Sequence, residues 1–343
     1  MRALVYERGQ NLKLTSVPSP TIKRDDEVLI KVKSTGICGT DILILGGVYP
    51  TKPSLIIGHE STGEVLEVGS AVTRFRVGDR VVLDPTYFCG QCFYCLNDRP
   101  NYCVEKANFE TGVSHDGTFA EYHVAREAFF HLLPEELDYA EGTLTEPLAC
   151  ALNALRQTRV STESRVLVVG LGPMGLLFSL ALQFMGCEVK AVDIAEYRIQ
   201  TARNAGIDCE KLNSGDSLES IHPVVGDRFD LIVDTSGQML NHALPKVDKG
   251  GDLLLVGLNY RFEATITPSY LTDNGIRLIG SIDTNRTFDP ALQMLRRSPA
   301  LRQIVTHRFN MEHYQDAFGL LGVNLSDASK RSEVRAAKIV LEP

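Results

Sequence analysis

The densest group of chemistry-bearing residues is Cys89-Gly-Gln-Cys92-Phe-Tyr-Cys95 followed by Cys103, a C-x2-C-x2-C-x7-C spacing. Four thiolates this close can surround one metal ion tetrahedrally, and a shell filled by protein leaves no place for substrate, so the group reads as a structural zinc site. Disulfides fit poorly, because a chain without secretory features belongs in a reducing compartment and two-residue gaps suit chelation better than pairing. An iron–sulfur cluster shares the C-x2-C-x2-C run, but only one such set is present and Val104 stands where a proline commonly follows the last ligand. A second group is scattered: Cys38 in Gly36-Ile-Cys-Gly-Thr40-Asp41, His59 and Glu60 in Gly58-His-Glu, and Glu146 in Thr145-Glu-Pro-Leu-Ala. Singly, each has an ordinary reading as a small buried thiol, a satisfied core histidine or a helix start. Together they offer sulfur, nitrogen and carboxylate donors, each flanked by Gly or Pro, a mixed set that can leave one metal position open to water or substrate. His59 and Glu60 could not both face one metal from a regular strand, whose side chains alternate. A loop conformation, or a supporting role for one glutamate, is therefore expected.

The third group is Val166-Leu-Val-Val-Gly170-Leu-Gly172-Pro173-Met174-Gly175, a G-x-G-x-x-G turn between an apolar strand and an apolar helix. Gly170 permits the tight turn, Gly172 lets backbone approach a pyrophosphate, and Gly175 lets helix and strand pack closely, with the anion on the helix N-terminus. Asp193 follows at the end of the next predicted strand, where its carboxylate can accept from both ribose hydroxyls and would repel a 2′-phosphate. NAD is favoured over NADP on that ground. FAD, S-adenosylmethionine or a purely structural turn are the competing readings, and the strand, helix and acid together argue for the dinucleotide.

The elements that must position these groups fall into two rhythms. Residues 1 to about 130 carry short β-rich runs such as Glu27–Lys33, Gly63–Gly69 and Arg80–Leu83, punctuated by Gly and Pro, which predicts a compact, mostly β domain. A helix over Glu146 to Thr158 leads out of it. Strands at Val166–Gly170, Val189–Asp193, Phe229–Asp234, Asp252–Gly257 and Leu278–Ser281 then alternate with helices, the pattern of a parallel doubly wound α/β sheet. After Thr284 two helices and a last strand, Ala337–Leu341, are expected to return to the β domain, giving segments 1–150, 151–285 and 286–343. At 343 residues, two domains is also what length suggests. Hydrophobic residues at 44% and charged residues at 23% allow real cores and argue against disorder. A formal charge of −8 gives no general attraction to phosphate backbones, so no nucleic-acid partner is expected. The uncharged run Val166–Cys187 is interrupted by Gly170, Gly172, Pro173 and Gly175, so strand, turn and buried helix are expected rather than a membrane span. Glu7 and Arg8 precede any apolar run that could serve as a signal peptide, and a cytoplasmic location is expected.

In their order along the chain, Gly-Ile-Cys38-Gly-Thr-Asp, Gly58-His-Glu, Val77-Gly-Asp-Arg-Val, the four-cysteine lobe, Gly117-Thr-Phe-Ala-Glu-Tyr, Glu146-Pro-Leu-Ala and the glycine turn resemble a zinc-containing medium-chain dehydrogenase/reductase of the alcohol dehydrogenase superfamily. Glu146-Pro-Leu resembles the polyol (sorbitol-type) and sugar dehydrogenase branch. The resemblance implies a GroES-like catalytic domain, a Rossmann domain, a cleft between them, and a homodimer or homotetramer. It implies two zinc ions and NAD, with Cys38 and His59 constant ligands of the catalytic zinc and Glu60 and Glu146 sharing the remaining protein positions. Thr40 would relay the alcohol proton, Asp193 and Arg198 would hold the adenosine ribose, and Val256 to Leu258 would lie near the nicotinamide. A bound zinc lowers the pKa of an alcohol oxygen, so that proton loss to Thr40 and hydride transfer to NAD yield a carbonyl. Two departures bear on substrate. Leu43 stands where threonine and polyol members often carry His, and Asp283-Thr284 replace the Arg-Tyr pair of sorbitol enzymes. Gly280–Arg286 looks more like the sugar-dehydrogenase version. A threonine-type amino-alcohol dehydrogenase and a non-catalytic member of the fold are the alternatives, although the latter should have lost its ligands and every one is present.

Overall fold

The computed structural model describes residues 1–7, 11–212, 228–327 and 332–343. In chain order its strands are β1 (Arg2–Glu7), β2 (Asn11–Ser16), β3 (Glu27–Gly36), β4 (Leu55–Ile56), β5 (Glu60–Val68), β6 (Arg80–Leu83), β7 (Tyr122–Arg126) and β8 (Phe130–Leu132). There follow β9 (Arg165–Val169), β10 (Glu188–Asp193), β11 (Asp208–Lys211), β12 (Phe229–Asp234), β13 (Val247–Leu255) and β14 (Arg277–Gly280), then β15 (Val305–Asn310) and β16 (Lys338–Glu342). They build two compact units. Residues 1–149, 284–297 and 305–343 form the first, and residues 150–283 and 298–304 the second. The segment 298–304 thus joins the second unit, where the sequence reading had a single return at 286.

In the first unit β3 is the organising strand. It pairs antiparallel with β5, β7 and β16, within the order β15-β16-β3-β5-β6-β8. A smaller sheet runs β2-β1-β4. Alternation along β3 buries Val28, Ile30 and Val32 against Val65, Val81, Leu83 and Phe130, so one face of the sheet is a core. A second cluster, containing Ile37, Ile44, Leu45, Ile57, Phe119 and Ile339, lies around the turns that carry the scattered donors. β15 was not foreseen. Its residues Val-Thr-His-Arg-Phe-Asn bury no side chain fully, as befits an edge strand that pairs, among the described residues, with the parallel β16 alone.

In the second unit all six strands are parallel, in the order β11-β10-β9-β12-β13-β14. Val166, Leu167, Val168 and Val169 are all buried, the continuous apolar run that a strand covered on both faces requires. The uncharged stretch resolves into β9, a turn, and the helix Pro173–Phe184. Among the described residues no helix is long and apolar enough to cross a membrane.

One buried histidine gives the first unit a pH dependence of its own. His123, opposite Ile30 in the β3–β7 ladder, is 5% exposed, and its Nε2 has no hydrogen-bond partner among the described residues. Burial, reinforced by His115, lowers its pKa from 6.5 to about 4. Because the folded-state value lies below the unfolded one, the unfolded chain takes up the proton first. The contribution is complete above about pH 6.5 and is lost as pH falls toward 4. Between about pH 7 and pH 5 the wild type should lose about 2 kcal/mol that a His123→Leu variant keeps, measured as the divergence of their urea-unfolding free energies. Parallel pH profiles would contradict it.

Candidate functional site

The scattered donors converge. One ligand atom each from Cys38, His59 and Glu60 lies within 4.8 Å of the others. Cys38 caps the short helix Gly39–Leu45, its sulfur accepting the Thr40 N–H at 3.5 Å and its thiol donating to the Thr40 hydroxyl oxygen at 3.7 Å. Asp41, fully buried, ties the two loops together: it accepts the Cys38 N–H at 2.8 Å and the Gly58 N–H at 3.2 Å. His59 Nδ1 lies 3.9 Å from Asp41 Oδ1 and has no hydrogen-bond partner among the described residues. The neighbours His59 and Glu60 both reach the pocket because His59 lies just outside β5 while Glu60 begins it. Gly58 makes that bend at a φ of 89°, where a side chain would also strike the Phe119 ring.

Glu146 lies near the start of the helix Thr145–Leu155, 8% exposed, outside the set of three but close enough to His59 to act on its charge. Burial works against a charged His59, yet Cys38, Asp41 and Glu146 outweigh it and raise the imidazole well above its usual value. Burial itself raises the Asp41 carboxyl. A buried pocket so rich in acidic groups is complementary to a cation, and its S, N and O donors fit zinc. The sequence reading missed Lys338 of β16. This lysine is 1% exposed, its Nζ pairs with Glu60 Oε2, and it donates to the Ile37 carbonyl at 2.9 Å. The available signal was a lysine inside the otherwise apolar run Ala336-Ala337-Lys338-Ile-Val-Leu.

The four-cysteine group closes as its spacing implies. All four sulfurs lie within 4.8 Å of one another, with Cys92 Sγ 3.5 Å and Cys89 Sγ 3.9 Å from Cys95 Sγ. No disulfide links them to one another or to the other four cysteines. Backbone N–H groups of Cys95 and Val104 lower the Cys92 thiol to about 6, and that of Gln91 lowers Cys89, while burial raises Cys95 and Cys103. Four thiols this close do not all ionise unaided, and a bound divalent cation removes that conflict.

In the second unit the glycine turn has the predicted form. Gly170 has a φ of 92°, and a Cβ there would meet Thr235 Oγ1 at 2.6 Å; one on Gly175 would overlap the Gly170 carbonyl. Above Gly172 the space is open, with Arg198 Cζ the nearest group at 3.9 Å. Pro173 and Met174 open the helix, and no side chain caps it, leaving its N-terminus to an anion. Asp193 accepts from Leu171 N–H at 2.6 Å and Ala195 N–H at 2.8 Å, with Arg198 Nη1 at 3.4 Å. It therefore also locks the turn. Val256 donates its N–H to the Asp234 carbonyl at 3.0 Å, and Leu258 is 44% exposed.

A zinc-type oxidoreductase of two domains is the class this fold and these sites define. Residues 24–135 match the alcohol dehydrogenase GroES-like domain and residues 173–297 the zinc-binding dehydrogenase domain, and the chain belongs to this medium-chain alcohol dehydrogenase family. Sorbitol dehydrogenase of Bacillus subtilis is 32% identical over 92% of this chain and 92% of its own length. D-arabitol-phosphate dehydrogenase of Enterococcus avium is 32% identical over 88% of both. Among solved structures, a zinc-binding dehydrogenase from Sinorhizobium meliloti bound to NADP superposes with a TM-score of 0.89 at 26% identity, over 100% of this chain and 99% of that one. An alcohol dehydrogenase from Escherichia coli complexed with NADH gives 0.88 at 27%, with the same coverage.

Proposed function

We propose that the chain is an NAD-dependent dehydrogenase of secondary alcohols, acting on a polyol, cyclitol or sugar, with one catalytic and one structural zinc. The observation that carries the reading is the convergence of Cys38, His59 and Glu60 in a buried pocket with the Thr40 hydroxyl 3.7 Å from the Cys38 sulfur and Glu146 beside it. Polyol relatives at about one-third identity support the substrate class. A zinc held by this set supplies Lewis acidity that makes an alcohol proton easier to lose. Thr40 Oγ1 is the group placed to take that proton and pass its own to solvent, Leu43 offering no titratable continuation. Asp41 holds the Cys38 and His59 loops in register, so the donors need no rearrangement. A bound NAD would supply the hydride acceptor needed for oxidation of the alcohol to a ketone. In reverse, Thr40 returns the proton.

Asp193 is our basis for NAD, its carboxylate being a poor neighbour for a 2′-phosphate. Eight cysteines that form no disulfide suit a reducing cytoplasm, where we place the protein as a homodimer or homotetramer. The test is a panel of hexitols, cyclitols, aldoses and amino alcohols, run with NAD and with NADP. We expect NAD reduction with a polyol or sugar, and a fall of about a hundredfold in NAD-over-NADP preference in Asp193→Asn. Turnover confined to amino alcohols would replace the substrate class, and an NADP preference in the wild type would overturn the role of Asp193.

A further inference from the structure

Two charged side chains in the first unit are buried where neither could be tolerated alone. Lys338 and Glu60 are each 1% exposed and face one another across β16, β3 and β5, with Nζ on Oε2. The ammonium also donates to the Ile37 carbonyl at 2.9 Å, one residue before Cys38, so its position is fixed from two sides. β3 makes room for the pair. At Gly36, a Cβ would lie within contact distance of Glu60 Oε2 and 2.8 Å from Lys338 Cε. A glycine at that strand position costs conformational entropy, and here it gains the space in which the two charges meet. An ammonium on Oε2 competes with a cation for that oxygen, which favours Oε1 of Glu60 as the donor.

We propose that Lys338 is a positioning residue that restricts Glu60 to one oxygen at the metal, and so keeps a coordination position open for substrate. The inference rests on Cys38, His59 and Glu60 forming the zinc site. Without the ammonium, both carboxylate oxygens are free to turn toward the cation, and a second oxygen there competes with any incoming ligand. Neutralising Glu60 also keeps the cation from being surrounded by uncompensated anions, which preserves its pull on a substrate oxygen.

The experiment uses cobalt exchanged for zinc in the full chain, because cobalt reports its coordination number in visible absorption, with imidazole as the probe of the open position. In the wild type, imidazole should shift the spectrum of the catalytic cobalt. In Lys338→Met, metal content should stay at the wild-type level while imidazole affinity falls by about tenfold or more. Gly36→Ala, which separates the pair without removing either charge, should fall in the same direction. Adding Glu60→Gln to Lys338→Met should restore imidazole binding, since an amide is a weak second donor, a recovery that simple loss of packing would not show. Unchanged imidazole affinity in Lys338→Met, or loss of its catalytic metal, would overturn the role of Lys338 while leaving the zinc site standing. Absence of any imidazole-sensitive cobalt spectrum in the wild type would overturn both.

Discussion

Replacing His59 by alanine is expected to lower kcat/KM for the best polyol by at least about a thousandfold, roughly 4 kcal/mol of transition-state stabilisation. The imidazole sits 7% exposed between Cys38 and Asp41, and alanine leaves a donor set of sulfur and carboxylate with a gap that water can fill. Loss should appear in zinc content as well as in rate: the chain should retain the four-cysteine metal and give up the other. NAD binding, followed by quenching or fluorescence transfer, should be unaffected, since Gly170, Gly172, Gly175 and Asp193 all belong to the second unit. A His59→Ala enzyme that turned over normally with its catalytic metal verifiably gone would remove the basis of the proposed chemistry.

The second large effect is expected in the cysteine lobe, on stability rather than turnover. Neither of its short helices, Phe93–Leu96 and Lys106–Phe109, buries a residue, and Phe93, Leu96 and Val104 are 66%, 70% and 60% exposed. A segment with so little apolar burial does not hold its own shape, so binding of the ion has to supply the folding energy, which in small zinc sites is on the order of 10 kcal/mol. Cys95→Ser should therefore lose one zinc per chain and expose residues 89–109 to protease, with cleavage faster by about a hundredfold. The far-ultraviolet signal of the three sheets should persist. If Cys95→Ser kept the full metal content and protease resistance, the lobe would have to be held by something other than a four-thiolate ion.

How much of this was legible beforehand follows from where the chemistry lies relative to periodicity. The parallel sheet announced itself because Val166–Val169 and Leu231–Val233 are buried on both faces and read as unbroken apolar runs. The cysteine lobe was legible because its donors are close in sequence, so spacing alone implies proximity. The alternation argument for His59 and Glu60 also carried over, with Gly58 supplying the bend. β15 was opaque because an edge strand with half-exposed residues has little pattern to detect. Lys338 was opaque for a different reason. A lysine in a strand is ordinarily solvent-facing, and its burial here depends on Glu60, 278 positions away, and on the missing Cβ of Gly36. Long-range charge pairing of this kind leaves no local signature.

The most direct test of the central claim is a zinc titration followed by activity. Chelation should first remove the more exchangeable ion, leaving one zinc per chain on the cysteine lobe, and NADH formation from the preferred polyol should stop at that point. Returning zinc should restore the rate in proportion to occupancy and saturate when the second site is full. Undiminished polyol oxidation with only the cysteine-lobe zinc present would contradict a catalytic metal on Cys38, His59 and Glu60.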